Sequence, residues 1–170
     1  EMRPQFYRNL GRGRFQELWA NDIGAFFARE ALGRGMAKGD WNHDGREDVF
    51  ISHIGSPAAL LENRSSSRGS ATSSANWVSI ELAGVHTARE PVGAKVELTT
   101  GQTRHTKVLS AGDGYLSSDP RSITFGLGNA TVIDSVTVIW PGGTSEIING
   151  ITPKQRWLVV EGQGRGLVLP

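Results

Sequence analysis

The second half of the chain, residues 76–161, consists of short segments that alternate apolar and polar residues between turn signals. The candidate strands lie at 77–82, 94–99, 103–109, 122–125, 135–140, 145–148 and 157–161. In the segment 135–140, the side chains of Val136, Val138 and Trp140 would share one face of an extended strand. Compact turns such as Thr100-Gly101-Gln102 separate neighbouring segments, and none has a helical period. This pattern predicts an all-β fold, with a small antiparallel sandwich or barrel in residues 76–162.

The first part of the chain, residues 1–63, carries a sparser set of strand signals. Its candidate strands are 6–9, 14–19, 34–38, 48–54 and 60–63. Residues 22–32 fit either a short helix or a long loop. Residues 64–75 are rich in serine and have no periodicity, which predicts a linker between the two parts. Residues 163–170 are left as a C-terminal tail.

The most informative motif is the stretch DWNHDGRED at residues 40–48. Oxygen-bearing side chains recur at every second position, and the glycine at position 45 allows a tight turn before a final carboxylate. Such a loop can wrap a hard divalent cation, and the expected cofactor is Ca²⁺. The predicted ligands are the side chains of Asp40, Asn42, Asp44 and Asp48, with the backbone carbonyl of Arg46.

The same loop has an interpretation without metal. Asp and Asn side chains readily accept hydrogen bonds from backbone N–H groups a few residues away, and a loop of such turns needs no ion. The matched oxygen positions together with the glycine favour the metal site. A fully wrapped ion would be structural, because it has little room left to polarise a substrate.

Composition limits the remaining function classes. Lys plus Arg total 18 and Asp plus Glu total 17, which gives no electrostatic reason to expect nucleic acid as a partner. The absence of cysteine excludes thiol catalysis, and no apolar run is long enough for a membrane span. The chain begins at Glu1, so we expect a fragment or a processed product.

Other candidate sites are weaker. Asp113 and Asp119 flank Tyr115, and a carboxylate pair could hydrolyse a glycosidic bond, although a turn rich in Asp and Gly explains them more simply. The four histidines lack zinc spacing. Trp77, Trp140 and Trp157 lie in apolar strand patterns and are expected in the core.

The chain resembles two families. Residues 6–63 resemble an FG-GAP or VCBS repeat, the blade unit of integrin-like β-propellers, through FYRN at 6–9, GRF at 13–15, GRGMAKGD at 33–40 and the acidic loop. Residues 76–161 resemble the ASPIC/UnbV domain through VGAKV at 92–96, GDGYLSS at 112–118, FGLG at 125–128 and VIWPGG at 138–143. The resemblance implies a partial propeller blade that binds calcium, followed by an ASPIC/UnbV-like β-domain.

The two families occur together in secreted proteins, so the resemblance implies a secreted or extracellular location, with the periplasm or cell surface as alternatives. The expected function is a non-enzymatic, calcium-stabilised binding or adhesion module for an extracellular protein or carbohydrate. Two alternatives remain: an accessory region of a secreted polysaccharide-active enzyme, and a purely structural cap on a propeller. A lone blade would expose unpaired strand edges, so residues 1–63 should either pack on the second part or self-associate.

Overall fold

A computed structural model describes residues 2–65 and 75–170 of the chain, so the central part of the predicted linker lies outside the described residues. The described residues are almost entirely strands and turns, which confirms the all-β prediction. The strands are β1 (Phe6–Gly11), β2 (Arg14–Leu18), β3 (Gly33–Gly39), β4 (Asp48–His53), β5 (Ala59–Leu61), β6 (Asn76–Ala83), β7 (Lys95–Thr100), β8 (Thr103–Val108), β9 (Ser122–Gly128), β10 (Ser135–Ile139), β11 (Ser145–Ile147), β12 (Gln155–Val160) and β13 (Gly166–Leu169).

Residues 2–65 form two small antiparallel sheets. Strands β1 and β2 make a hairpin, and β3, β4 and β5 make a three-stranded sheet with β4 in the middle. Among the described residues of this part, Leu18 is the only buried large apolar side chain. Both sheets therefore lack a core of their own.

The segment between β2 and β3 is neither of the two expected forms. In place of a helix over residues 22–32 there is a four-residue α-helix, Ala20–Ile23, and a short 3-10 helix, Ala25–Ala28. Gly24 separates them with φ of 113°, a conformation that a continuous helix cannot contain. Neither helix of the described residues has the length to cross a bilayer.

Residues 75–170 form two four-stranded sheets with the orders β11-β10-β7-β8 and β13-β12-β6-β9. The sheets do not close into a barrel, so of the two predicted forms the sandwich is correct. One pairing departs from the antiparallel prediction, because β12 runs parallel to β6 at the centre of its sheet. The predicted C-terminal tail includes β13, which pairs with β12 as an edge strand.

The inner faces of these two sheets share one apolar core. The alternation predicted for β10 is confirmed, since Val136, Val138 and Trp140 are all buried. Trp77 and Trp157 are also buried, as predicted. Other fully buried side chains of the two sheets are Val78, Ile80, Val96, Leu98, Phe125 and Val159. Residues 2–65 lie against this sandwich.

Candidate functional site

The predicted metal ligands lie together in one loop between β3 and β4. The loop is closed at its base, where Gly39 at the end of β3 pairs with Asp48 at the start of β4. Gly45 has φ of 86°, which is the left-handed conformation that the sequence predicted for the tight turn. The chain thus places five candidate oxygen ligands on a single short hairpin connection.

Hydrogen bonds within the loop hold its shape. The Asp40 carboxylate accepts the backbone N–H of Asp44 at 3.0 Å and of Gly45 at 2.8 Å. Asp44 Oδ1 accepts the backbone N–H of Arg46 at 2.9 Å, and Asn42 Oδ1 accepts that of Asp44 at 3.2 Å. Such side-chain to backbone hydrogen bonds are what the metal-free interpretation predicts. The same turns would also prearrange oxygen atoms around an ion.

Asp48 differs from the other loop carboxylates because it is fully buried. Its Oδ2 accepts the N–H of Trp41 at 3.0 Å, and its Oδ1 accepts the N–H of Asn63 at 2.7 Å. The Asn63 side chain also donates to the carbonyl of Glu47 at 3.1 Å. Asp48 therefore ties the loop to the chain that follows β5, and no ion pair among the described residues includes it.

Arg46 has a role that the sequence pattern did not indicate. Its guanidinium pairs with the Asp44 carboxylate, and its Nε donates to the Asn63 carbonyl at 2.6 Å. The side chain thus supplies positive charge inside the acidic loop. A cation bound there would compete with Arg46 for Asp44.

The loop fits Ca²⁺ by the type of its oxygen donors and by their spacing along the chain. Carboxylate, amide and carbonyl oxygens are the ligands that Ca²⁺ prefers, and Asp40, Asp44 and Asp48 carry more than enough negative charge to offset that of the ion. Within the described residues, however, no three carboxylate or histidine side chains converge closely enough to hold an ion. The binding arrangement would therefore need side-chain movement within the loop.

The acidic loop also contacts the sandwich. Gly45 lies so close to the Trp77 indole that an added Cβ would be 2.0 Å from its Cδ1. On the other side of the loop, a guanidinium nitrogen of Arg156 lies 3.3 Å from Nδ1 of His43. The loop is therefore held at its tip by residues from the second part of the chain.

Asp113 and Asp119, the candidate hydrolytic pair, do lie together and line a cavity of about 130 Å³. Asp119 is paired with Lys38, whose Nζ is 3.4 Å from Oδ2. The hydroxyl of Ser110 donates to Asp113 and lowers the pKa of that carboxyl, against the opposing effect of burial. A third acidic residue, Glu90, pairs with Arg121 at 3.3 Å. The pKa of Asp113 is thus shifted in the direction opposite to the one that general-acid catalysis requires.

Two further carboxylates hold loops of the sandwich, and sequence reasoning missed both. Glu146 accepts the indole N–H of Trp140 at 3.1 Å and the backbone N–H groups of Gly162 and Gly164. Glu161 uses one oxygen, Oε2, for a group of donors close to β6 in the chain: the N–H groups of Val85, His86 and Thr87 and the Thr87 hydroxyl. No local sequence signal connects these glutamates to loops so far away in the chain.

The Glu161 hydrogen bonds make a pH-dependent contribution to stability. Burial raises the pKa of this carboxyl, but the donors of Thr87, Val85 and His86 outweigh it and lower the pKa from 4.5 to about 2. Since the pKa is lower in the folded state, the stabilisation is present above pH 4.5 and is lost as the pH falls towards 2.

We expect Glu161→Gln to lower the melting temperature by several degrees at pH 7 and to make the decline below pH 4.5 shallower. Glutamine keeps the size of the side chain but accepts these bonds without charge. Thermal melts across pH 2–7 measure both effects. The matched control is Glu90→Gln, because the Glu90 side chain is exposed on the surface and pairs with Arg121. Equal behaviour of the two variants would contradict the role given to Glu161.

Comparison with known proteins finds a family match within the residues of the sandwich. The sequence model of the family described as ASPIC and UnbV matches residues 84–166. Cartilage acidic protein 1 of Mus musculus is 34% identical over 115 residues, which are 67% of this chain and 17% of that protein. The chain thus spans about a sixth of this relative's length. Most of the sandwich, residues 84–166, is therefore an ASPIC and UnbV domain.

Proposed function

We propose that the chain is a non-enzymatic extracellular binding module in which Ca²⁺ stabilises the acidic loop at residues 40–48. The observation that carries this proposal is the buried Asp48 carboxylate, which has hydrogen-bond donors but no cationic side chain as a partner within residues 2–65 and 75–170. A buried charge without a counter-ion is costly, and a divalent cation beside it would remove that cost. The other proposed oxygen ligands lie in the same short hairpin connection.

The extracellular part of the proposal is supported by the ASPIC and UnbV domain and by the relative that is named for cartilage. Binding of an extracellular protein or carbohydrate would use the surface. The cavity at Asp113 and Asp119, about 130 Å³, and a second one lined by His43 and Arg156, about 280 Å³, are both smaller than the roughly 300–1,000 Å³ of ordinary small-molecule sites. The environments of Asp113 and Asp119 support a module without hydrolytic activity.

The assignment of residues 1–63 as an FG-GAP-like propeller repeat is part of the same proposal. Its large side chains that remain exposed are Met2, Phe6, Tyr7, Leu10, Phe15, Trp19, Leu32, Met36, Trp41, Phe50, Ile54 and Leu60. An array of repeats buries such side chains between neighbouring units, because one unit cannot cover its own faces. The exposed apolar side chains of residues 1–63 therefore support the proposal that this part packs against the sheets of further repeats.

We expect Ca²⁺ to raise the melting temperature of the protein. Extracellular calcium modules commonly have Kd values of roughly 0.1–1 mM. An ion that binds only the native state at a hundredfold excess over Kd adds about 2.7 kcal/mol, which is about 5–10 °C for a chain of this size. Thermal melts in 10 mM CaCl₂ and in EDTA measure the shift.

Two variants separate binding in the loop from general effects of salt. Asp44→Ala should abolish the Ca²⁺-induced shift, whatever it does to the melting temperature in EDTA. Glu47→Gln is the matched control, because Glu47 is a loop carboxylate outside the predicted ligand set and pairs with Lys38. An unchanged melting temperature for the original sequence in Ca²⁺ would overturn the calcium proposal.

A further inference from the structure

Strand β3 is an edge strand of its three-stranded sheet, since β4 is the one strand of the described part of the chain that pairs with it. An edge strand presents unpaired N–H and C=O groups, which can pair with a strand of another molecule. Met36 and Lys38 are two residues apart, so their backbone groups point to the same side of the strand. That side is the open edge, facing away from β4.

Residues 110–121 of the sandwich, which we call the edge clamp, lie along this edge. The Ser117 hydroxyl donates to the Met36 carbonyl at 2.7 Å, and Asp119 Oδ1 accepts the Lys38 N–H at 2.7 Å. Asp119 also pairs with Lys38 Nζ. The contacts advance by two residues on both segments and in the same chain direction, which is the register of a parallel strand. The edge clamp matches the register of a parallel strand, but it bonds to β3 through side chains and not through a backbone ladder.

Glycines make this close approach possible. A Cβ at Gly35 would lie 3.4 Å from the Ser117 Cβ, and a Cβ at Gly39 would lie 3.0 Å from Cγ of Pro120. On the edge clamp itself, a Cβ at Gly114 would be 2.8 Å from the Met36 carbonyl oxygen. Small residues on both segments therefore leave room for the edge clamp to sit against β3.

We propose that the edge clamp occupies the place of a further strand on β3 and thereby prevents β3 from pairing with a second copy of this chain. Side-chain partners engage the outward carbonyl of Met36 and the outward N–H of Lys38 without offering a new backbone ladder. The β3 edge therefore ends at the clamp, and the sheet cannot grow by strand addition on that side. This assigns a function to the GDGYLSS motif at residues 112–118, and it does not depend on metal binding.

The first test measures amide hydrogen exchange at Lys38 in the full chain. The double variant Ser117→Ala/Asp119→Ala removes both side-chain partners, and we expect exchange at this amide to accelerate about five- to tenfold. Ser118→Ala is the matched control, because its hydroxyl contacts only Asp119 and Arg121 within the edge clamp. Asp119→Asn keeps an acceptor oxygen and should exchange at nearly the original rate, which separates the hydrogen bond from the Lys38 ion pair.

The second test detects pairing of β3 edges. The chain has no cysteine, so Met36→Cys introduces a single thiol on the exposed surface of β3. Under mild oxidation, disulfide-linked dimers should form at least several-fold faster in the Ser117→Ala/Asp119→Ala background than in the original or Ser118→Ala background.

Amide protection of β10 in the same exchange experiment shows whether the sandwich remains folded. If the double variant loses this protection, the single variants Ser117→Ala and Asp119→Ala replace it, each with an intermediate expected effect. Equal dimer formation in all folded variants overturns the proposal, and so does unchanged Lys38 exchange in the double variant.

Discussion

Replacing Trp140 by alanine should lower the free energy of unfolding by about 3–5 kcal/mol, a typical loss for a large aromatic side chain in a core. Trp140 is 2% exposed and lies in the core shared by the two sheets of the sandwich. Its indole N–H also donates to Glu146, which holds the backbone of Gly162 and Gly164. The substitution therefore leaves a cavity and removes one donor from the carboxylate that fixes this loop.

Urea denaturation measures this loss, and Trp41→Ala is the control with the same change of side chain. Trp41 is 59% exposed, so its truncation should cost less than about 1 kcal/mol. Glu146→Gln tests the second part of the explanation, because it keeps the loop contacts in uncharged form and should cost less than Trp140→Ala. Similar losses for Trp140→Ala and Trp41→Ala would contradict the position of Trp140 in the core.

Much of the sandwich could be predicted from the sequence because apolar and polar residues alternate clearly along its strands. A strand with one buried face shows its period locally, as Val136 and Val138 do in β10. The parallel pairing of β12 with β6 could not be predicted in the same way. It depends on which strands meet after a long connection, and the side-chain alternation is the same for parallel and antiparallel neighbours. Strand β13 was missed because it is a short edge strand that directly follows a turn containing Gly162 and Gly164.

In the candidate metal loop, too, features set by neighbouring residues could be predicted, whereas contacts between distant residues could not. The spacing of Asp40, Asn42, Asp44 and Asp48 is local, and so is the need for a glycine at the turn. The sequence could not show that Asp48 would be buried or that Asn63 would bond to it, because that contact depends on β5 returning beside β4. Metal occupancy stays a prediction.

The contact between Gly45 and Trp77 leaves no room for a larger side chain at position 45 of the acidic loop. An added Cβ at Gly45 would lie 2.1 Å from Trp77 Cγ, an atom close to the backbone of β6. Strand β6 pairs with β9 and β12, so the ring cannot withdraw without disturbing the middle of a sheet. Gly45 also has φ of 86°, where any other residue is strained.

We therefore expect Gly45→Ala to lower the free energy of unfolding by about 2–4 kcal/mol, from backbone strain together with overpacking. Gly55→Ala is the matched control, since Gly55 has φ of 75° and nothing lies within 4 Å of its added Cβ. It should show the backbone strain alone, about 1 kcal/mol. Urea denaturation followed by tryptophan fluorescence measures both variants. Equal losses would mean that the loop tip does not press on Trp77, whereas a larger loss for Gly45→Ala means that the sandwich fixes the position of the acidic loop.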